Sequence, residues 1–460
     1  MLISFTMRNW MSFRDETTFS MVASREQQHN DRLARLGSKY HSKRILPISS
    51  IYGGNASGKS NFCKALAFAR TTVVFGTEKN HLAQRNPFKL EKAISHEPTL
   101  FAFSLLLGKD VYIYEFEFTS KEIVSERLLR YKSTTSSKII FDRKWKDAPN
   151  KKRPGSVFSG NSSSDKLRSV LSLVPQHRLF VTSVMDQDVS LDECHVIRQL
   201  FEWFRRRLIV IGPDSSYGQL HDVLEKDEET SQGIRTIINR LDTGIENISL
   251  EQKDISQASS NIKEFFDKLS GKEAEQRANK RLFLRNKIRI RATEDGQSLL
   301  ADEVVFHHAG KDGELVRFSL DEESDGTQRL LDIVPAFVHL VHTEKPVTFV
   351  IDELDRSLHS LLSIRLIEIF LESCEGGSNS QLIFTTHDLL LMDQKYLRRD
   401  EMWLAEKKQD GQSDLLSLAD FKDIRNDKDI RKSYLLGRFG GIPSTYYFPT
   451  NQIFAREEEL

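Results

Sequence analysis

The stretch IYGGNASGKS, residues 51–60, constrains this chain more than any other. Its spacing, Gly53-x-x-x-x-Gly58-Lys59-Ser60, satisfies the phosphate-loop pattern G-x-x-x-x-G-K-[ST]. An ordinary glycine-rich turn needs no particular flanks, whereas a phosphate loop needs a strand before it and a helix after it. Both are expected here: ILPISSIY (45–52) reads as a short buried strand and NFCKALAFARTTVVF (61–75) as a helix. Glycines let successive backbone N–H groups turn inward on a phosphate chain, and the helix N-terminus adds partial positive charge. Gly53, Asn55, Ala56, Ser57 and Gly58 are the expected cradle. Lys59 is expected to reach the β- and γ-phosphates, and Ser60 to offer its hydroxyl to Mg²⁺.

A phosphate loop alone does not separate a kinase from a GTPase or a motor. The stretch KPVTFVIDELDRSLH (345–359) does more, because a buried apolar run ends in Asp352-Glu353. A strand delivering acids at its C-terminal end puts them where α/β folds bind ligands. Asp352 suits Mg²⁺, and Glu353 suits a general base for an attacking water. A solvated turn is the plainer reading of Asp-Glu, and the upstream loop weighs against it. In DEESDGTQRLL (321–331), Ser324 and Gly326 stand at the start of a helical pattern and make a second expected anion site. SQLIFTTHDLLLM (380–392) is a further buried strand, ending at His387, which is placed to meet a terminal phosphate.

With 460 residues, more than one core is expected. The 66 basic and 66 acidic residues cancel, which argues against a general polyanion coat. Cys63, Cys194 and Cys374 are too dispersed for a disulfide framework or a metal site, and are expected to be small buried hydrophobes of a reduced, cytoplasmic protein. The N-terminus is no signal peptide, and the apolar run LFAFSLLL (100–107) is far short of the roughly 20 residues of a membrane helix, so a soluble chain is expected. Residues 1–165 are expected to form one lobe: a strand-rich stretch to 135, with two or three antiparallel strands in TLFAFSLLLGKDVYIYEFEFTSKEIVSERLLRY, and then an exposed polar loop over 133–165. Residues 166–295 are expected to be an inserted helical region, in which the stretch from SQASSN through RLFLR is an arm of one helix or of a helix broken at Gly271. Residues 296–460 carry the acidic strand and return to strand–helix alternation.

The four segments, in this order, resemble the ABC-type ATPase heads of the SMC, RecF and OLD group. ESDGTQ stands where their signature stands, VIDELDRSLH covers Walker B and the D-loop, and His387 matches the switch histidine. NPFKLE, FRRRLIVIGP, LDTGIENI, FTTHD and DIRKSYLLGRFGGIP narrow the likeness to the AAA15/AAA21-type ATPases over most of the chain. The implied fold is α/β, an ABC-type P-loop ATPase head with an antiparallel β subdomain and an inserted helical arm. The implied mechanism is an ATP sandwich in a homodimer, or a higher homo-oligomer, with Ser324 and Gly326 completing the partner's site. Gln84 would be the Q-loop residue near the metal. By length and N-terminal sequence, the chain is most similar to ATPase subunits of the PARIS anti-phage system. That likeness implies a phage trigger protein and a separate Toprim-type nuclease held and released by the ATPase. The alternative is a RecF/SMC-like DNA-binding ATPase of repair, with FEWFRRRL and RANKRLFLRNKIRIRAT supplying phosphate contacts.

Overall fold

The computed structural model describes residues 1–35, 43–76, 81–133, 136–146, 157–162, 171, 173–186, 194–218, 220–226, 228–254, 282–284, 288–292, 299–343, 345–375, 379–421 and 429–441. The chain opens with β1 (Leu2–Arg8) and β2 (Thr17–Ser20), a short pair β3 (Ala34–Arg35) and β4 (Arg44–Ile45), and then β5 (Ile48–Tyr52). Helix α1 (Lys59–Phe75) follows the glycine loop, and the short α2 (Lys92–His96) leads to β6 (Thr99–Leu107), β7 (Asp110–Phe118), β8 (Ile123–Ser133), β9 (Ser136–Lys146) and β10 (Val157–Ser162). Next come α3 (Phe180–Asp186), α4 (His195–Glu202), a single π-turn at Trp203–Arg207, and β11 (Leu208–Ile211). Helices α5 (Leu220–Lys226) and α6 (Glu228–Arg240) precede β12 (Ile245–Asp254), β13 (Leu282–Leu284), β14 (Ile288–Ala292), β15 (Leu299–Ala309) and β16 (Leu315–Ser319). The last part holds α7 (Asp325–His342), β17 (Thr348–Ile351), α8 (Ser360–Glu375), β18 (Gln381–Thr385), β19 (Met402–Lys407), β20 (Ser413–Ser417) and α9 (Ile430–Leu435).

Two sheets position the site. A seven-stranded antiparallel sheet runs β10-β9-β8-β7-β6-β1-β2, and a six-stranded sheet runs β11-β17-β18-β5-β19-β20. In the second, the pairings from β11 to β19 are parallel, so the C-terminal ends of β17, β18 and β5 lie side by side. Parallel strands buried on both faces read as continuous apolar runs, which is why TFVI and QLIFT carry no alternation. In β6 the alternation is strict, as a half-covered antiparallel strand requires. Helix α1 fills the space between the sheets: Phe62 meets Phe5 and Phe19, and Phe19 meets Trp403. Full burial of the Phe62 ring contributes about 2–3 kcal/mol. Gln381 adds a polar staple, its side chain exchanging hydrogen bonds of 2.6 and 2.8 Å with the backbone of Leu2.

Several expectations are corrected here. The stretch 133–165, read as an exposed loop, contributes β9 and β10 to the antiparallel sheet. Its polar sequence reflects one solvated sheet face, while Phe141 and Arg143 are buried on the other. Arg143 is held there by Glu126 and by the carbonyls of Val174, Pro175 and Arg178. The region 166–295 is not simply helical. Its β11 belongs to the central sheet through parallel pairing with β17, and β12–β14 join a separate sheet with β15. Leu282–Leu284, expected inside the arm helix, is a strand paired with β14. The remainder of that expected arm lies outside the described residues. No helix among the described residues is long and apolar enough to cross a membrane.

Candidate nucleotide site

The glycine loop leaves β5 and enters α1 with three residues at positive φ: Gly53 at 154°, Ala56 at 59° and Gly58 at 113°. Only glycine fits two of these positions. A Cβ on Gly53 would stand 2.4 Å from the carbonyl oxygen of Ala405, and one on Gly58 would stand 2.6 Å from Ser413 Oγ. Lys59 Nζ is buried and donates to the carbonyls of Gly53 (2.7 Å) and Gly54 (3.1 Å), poised over the loop concavity. Burial holds its pKa below the ordinary lysine value, while Asp352 and Glu353 pull the other way. Ser57 Oγ is buried in the loop with no hydrogen-bond partner among the described residues. A buried hydroxyl, a lysine resting on main-chain oxygens and a helix N-terminus together fit a phosphate chain.

The acids arrive from the neighbouring strands. Asp352, buried at the end of β17, accepts from Ser60 Oγ at 3.2 Å and from Thr385 Oγ1 at 2.6 Å. The same Thr385 Oγ1 accepts from the Glu353 backbone N–H at 2.8 Å. That bond helps hold Glu353 in the left-handed region, φ 52°, a conformation costing roughly 1–2 kcal/mol for a residue with a Cβ. Strain of this kind collects at functional sites. Cys63 lies beneath Asp352, and burial followed by the carboxylate's charge pushes its thiol well up, so it stays a protonated, buried group.

His387 is exposed just beyond β18, its backbone N–H donating to Asp355 Oδ2 at 3.2 Å. Partial burial, then the Lys59 ammonium, lower its imidazole pKa from the usual histidine value, against the pull of Asp355, Glu353 and Asp352. The expected set Lys59, Ser60, Asp352, Glu353 and His387 is thus gathered at three adjacent strand ends. No cluster of His, Cys, Asp and Glu among the described residues forms a self-sufficient metal cage. Ser60 and Asp352 instead fit Mg²⁺, which keeps few protein ligands and takes others from phosphate and water.

The remaining candidates stand apart. Gln84 is exposed after a short turn, and the structure does not bring its side chain to Asp352 through any hydrogen bond among the described residues. Its loop does adjoin the site, since the Asn86 carbonyl accepts from Met11 N–H and Ser12 accepts from Asn61 at the start of α1. Ser324 caps α7, accepting from Thr327 N–H at 3.1 Å, and is otherwise exposed. Gly326 also has a role inside its own chain: a Cβ there would lie 2.8 Å from the carbonyl oxygen of Ser357. The start of α7 therefore packs directly on the turn that follows β17.

Three contributors escaped sequence reasoning. Thr385 is the hinge of the Asp352–Glu353 arrangement, and its only signal was a hydroxyl ending an apolar run. Arg329, buried in α7, donates to the carbonyls of Ser215 and Asp352, tying α7 to the turn after β17. Gly441 accepts from the Gly54 N–H at 2.9 Å and from Tyr434 Oη at 2.8 Å, so the C-terminal GG segment braces the loop.

The Lys59→Ala chain is expected to lose ATP affinity by at least about a hundredfold, because a charge-assisted contact to a triphosphate disappears from a buried loop. Calorimetric titration checks this, and an affinity within about threefold of the unaltered chain overturns the assignment.

No curated protein matches the sequence. Among solved structures, the chain is similar to the SMC head domain from Thermotoga maritima, with 13% identity, 90% of this chain and 98% of that one covered, and a TM-score of 0.38. It is also similar to the SmcHead bound to the C-winged helix domain of ScpA, with 13% identity, coverages of 91% and 99%, and a TM-score of 0.41. The family described as "AAA domain, putative AbiEii toxin, Type IV TA system" matches residues 48–393, from the strand before the glycine loop to beyond His387. That span is three quarters of the chain and holds the whole gathered site, so the chain belongs to the AAA_21 family of ATPase domains.

Proposed function

We propose that this chain is an ATP-hydrolysing switch that pairs with a second copy around bound ATP and so controls a separate effector. The observation that carries the reading is the split of the machinery. Lys59, Ser60, Asp352, Glu353 and His387 converge, while the capped start of α7 leaves Ser324 and Asp325 exposed to a neighbour. In hydrolysis, Glu353 accepts the proton of the attacking water. Lys59 and His387 hold the terminal phosphate oxygens from two sides, and the loop N–H groups receive the β-phosphate. Mg²⁺ held by Ser60 and Asp352 would neutralise charge building between the β- and γ-phosphates. Asp355 accepts the His387 backbone N–H through Oδ2, and its buried Oδ1 has no partner among the described residues.

For the wider role we propose anti-phage defence: the ATP-bound assembly holds an effector, by the PARIS likeness a Toprim-type nuclease, and releases it when a phage protein is sensed. Support comes from the sequence resemblance and from a family description that names a toxin of a toxin–antitoxin system. Light scattering tests the switch. Mass is expected to rise to that of a dimer or more with ATP and Mg²⁺, and not in the Lys59→Ala chain. A mass indifferent to ATP over the whole accessible concentration range overturns the reading.

A further inference from the structure

We propose that a cavity at the end of the central sheet opposite the glycine loop is a second anion site, taking a small phosphate ester of nucleotide size. The cavity has a volume of about 770 Å³. Small-molecule sites span roughly 300–1,000 Å³. One wall is the β6–β7 turn at Leu107 and Gly108, and another is α4 with the π-turn that follows it. The third is the end of α7 at His339 and Thr343, with Lys345 and Val347 leading into β17.

Charge gives the ligand class. Arg198, Arg206, Arg207 and Lys345 line the cavity, and among the described lining residues Glu202 is the one carboxylate. Glu202 is already engaged, at 3.0 Å by Arg206 and 3.9 Å by Arg205. Arg207 and Lys345 have no ion-pair partner among the described residues. The negative ends of α7 and of the α4 segment draw cations to this wall. Guanidinium groups lining a concavity suit phosphate oxygens, which they bind in a fork. The remaining lining suits the rest of such a ligand. Leu107 and Val347 are apolar, and the half-buried His339 ring, set beside Tyr217 and Phe349, is kept neutral by burial and can hydrogen-bond a base or sugar.

The position suggests what an occupant would influence. Arg207 directly precedes β11, whose Ile211 carbonyl accepts the Asp352 N–H at 2.9 Å. Val347 directly precedes β17, which ends at Asp352. Helix α7 runs about 27 Å, at 1.5 Å per residue, from the cavity to Ser324. Three rigid elements therefore join this cavity to the nucleotide site.

The test uses calorimetry on the full chain carrying Lys59→Ala, which silences the glycine loop, with GMP and inorganic pyrophosphate as probes. Saturable binding to one site is expected, weakened at least tenfold by adding Arg207→Ala and about threefold by adding Lys345→Ala, and falling as salt rises. Melting curves confirm that each variant is folded, and exposed Lys345 serves if Arg207→Ala is not. Absence of saturable binding of both probes to millimolar concentration overturns the proposal. So does binding indifferent to both substitutions. Arg207-dependent binding of a DNA duplex, with neither small probe bound, also overturns it by making the cavity part of a nucleic-acid surface. None of these readouts passes through ATP hydrolysis, so the outcome is separate from that of the switch reading.

Discussion

Glu353→Gln is expected to lower ATP turnover by about 10²–10⁴-fold, the usual share of general-base catalysis, while ATP affinity stays within about threefold. Gln keeps the length of Glu and the backbone bond to Thr385 Oγ1, so the left-handed turn at φ 52° is retained. What goes is the ability to accept a proton from water. Asp352→Asn is expected to behave differently, because Asp352 Oδ1 is shared by Ser60 and Thr385 at the metal position. It should weaken Mg²⁺-dependent binding and turnover together. Steady-state phosphate release and calorimetry, run on both variants, separate the two roles. Turnover of the Glu353→Gln chain near that of the unaltered protein would move the base elsewhere, with His387 the next group in reach.

The nucleotide site was legible in the sequence where its chemistry is local. Gly53 to Ser60 encode their own backbone path, and Asp352-Glu353 end a run too apolar to be anything but buried strand. Thr385 was not legible, because its role comes from β18 lying between β17 and β5, a matter of strand order. The same holds for Gly441: its double glycine was visible, but not that φ values of 71° and 68° at Gly440 and Gly441 turn a carbonyl onto Gly54. The antiparallel lobe was legible through the alternation of β6 and β7 and lost at β9, whose charged outer face hides the buried Phe141. Gly326 is the instructive case. Its place in the signature pointed to a neighbouring subunit, yet the Ser357 carbonyl shows that its own chain already requires a glycine there. Any bulky substitution at Gly326 would disturb the turn after β17 as well, so the proposed shared site is tested at Ser324.

Ser324→Asp is expected to abolish ATP-dependent pairing and to reduce turnover at least a hundredfold, while a single chain binds ATP as before. Asp is as good a helix cap as Ser, so the bond from Thr327 N–H and the start of α7 survive. The change lies in charge. If the partner's γ-phosphate sits against this exposed helix end, a carboxylate about 4 Å away opposes it by about 4 kcal/mol per unit charge at an effective dielectric of 20. Ser324→Asn, a neutral cap, is expected to keep most of the activity, which separates charge from shape. Mixing Ser324→Asp with Lys59→Ala chains then addresses sharing directly. Their heterodimer holds one site in which both halves are damaged, and one in which the intact loop of the first chain faces the intact signature of the second. Once differently tagged chains have been shown to exchange, part of the lost turnover should return in the mixture. A mixture no more active than its components would remove the shared site. Full turnover by Ser324→Asp at every dilution would make the glycine loop and the Walker B acids a complete site within one chain.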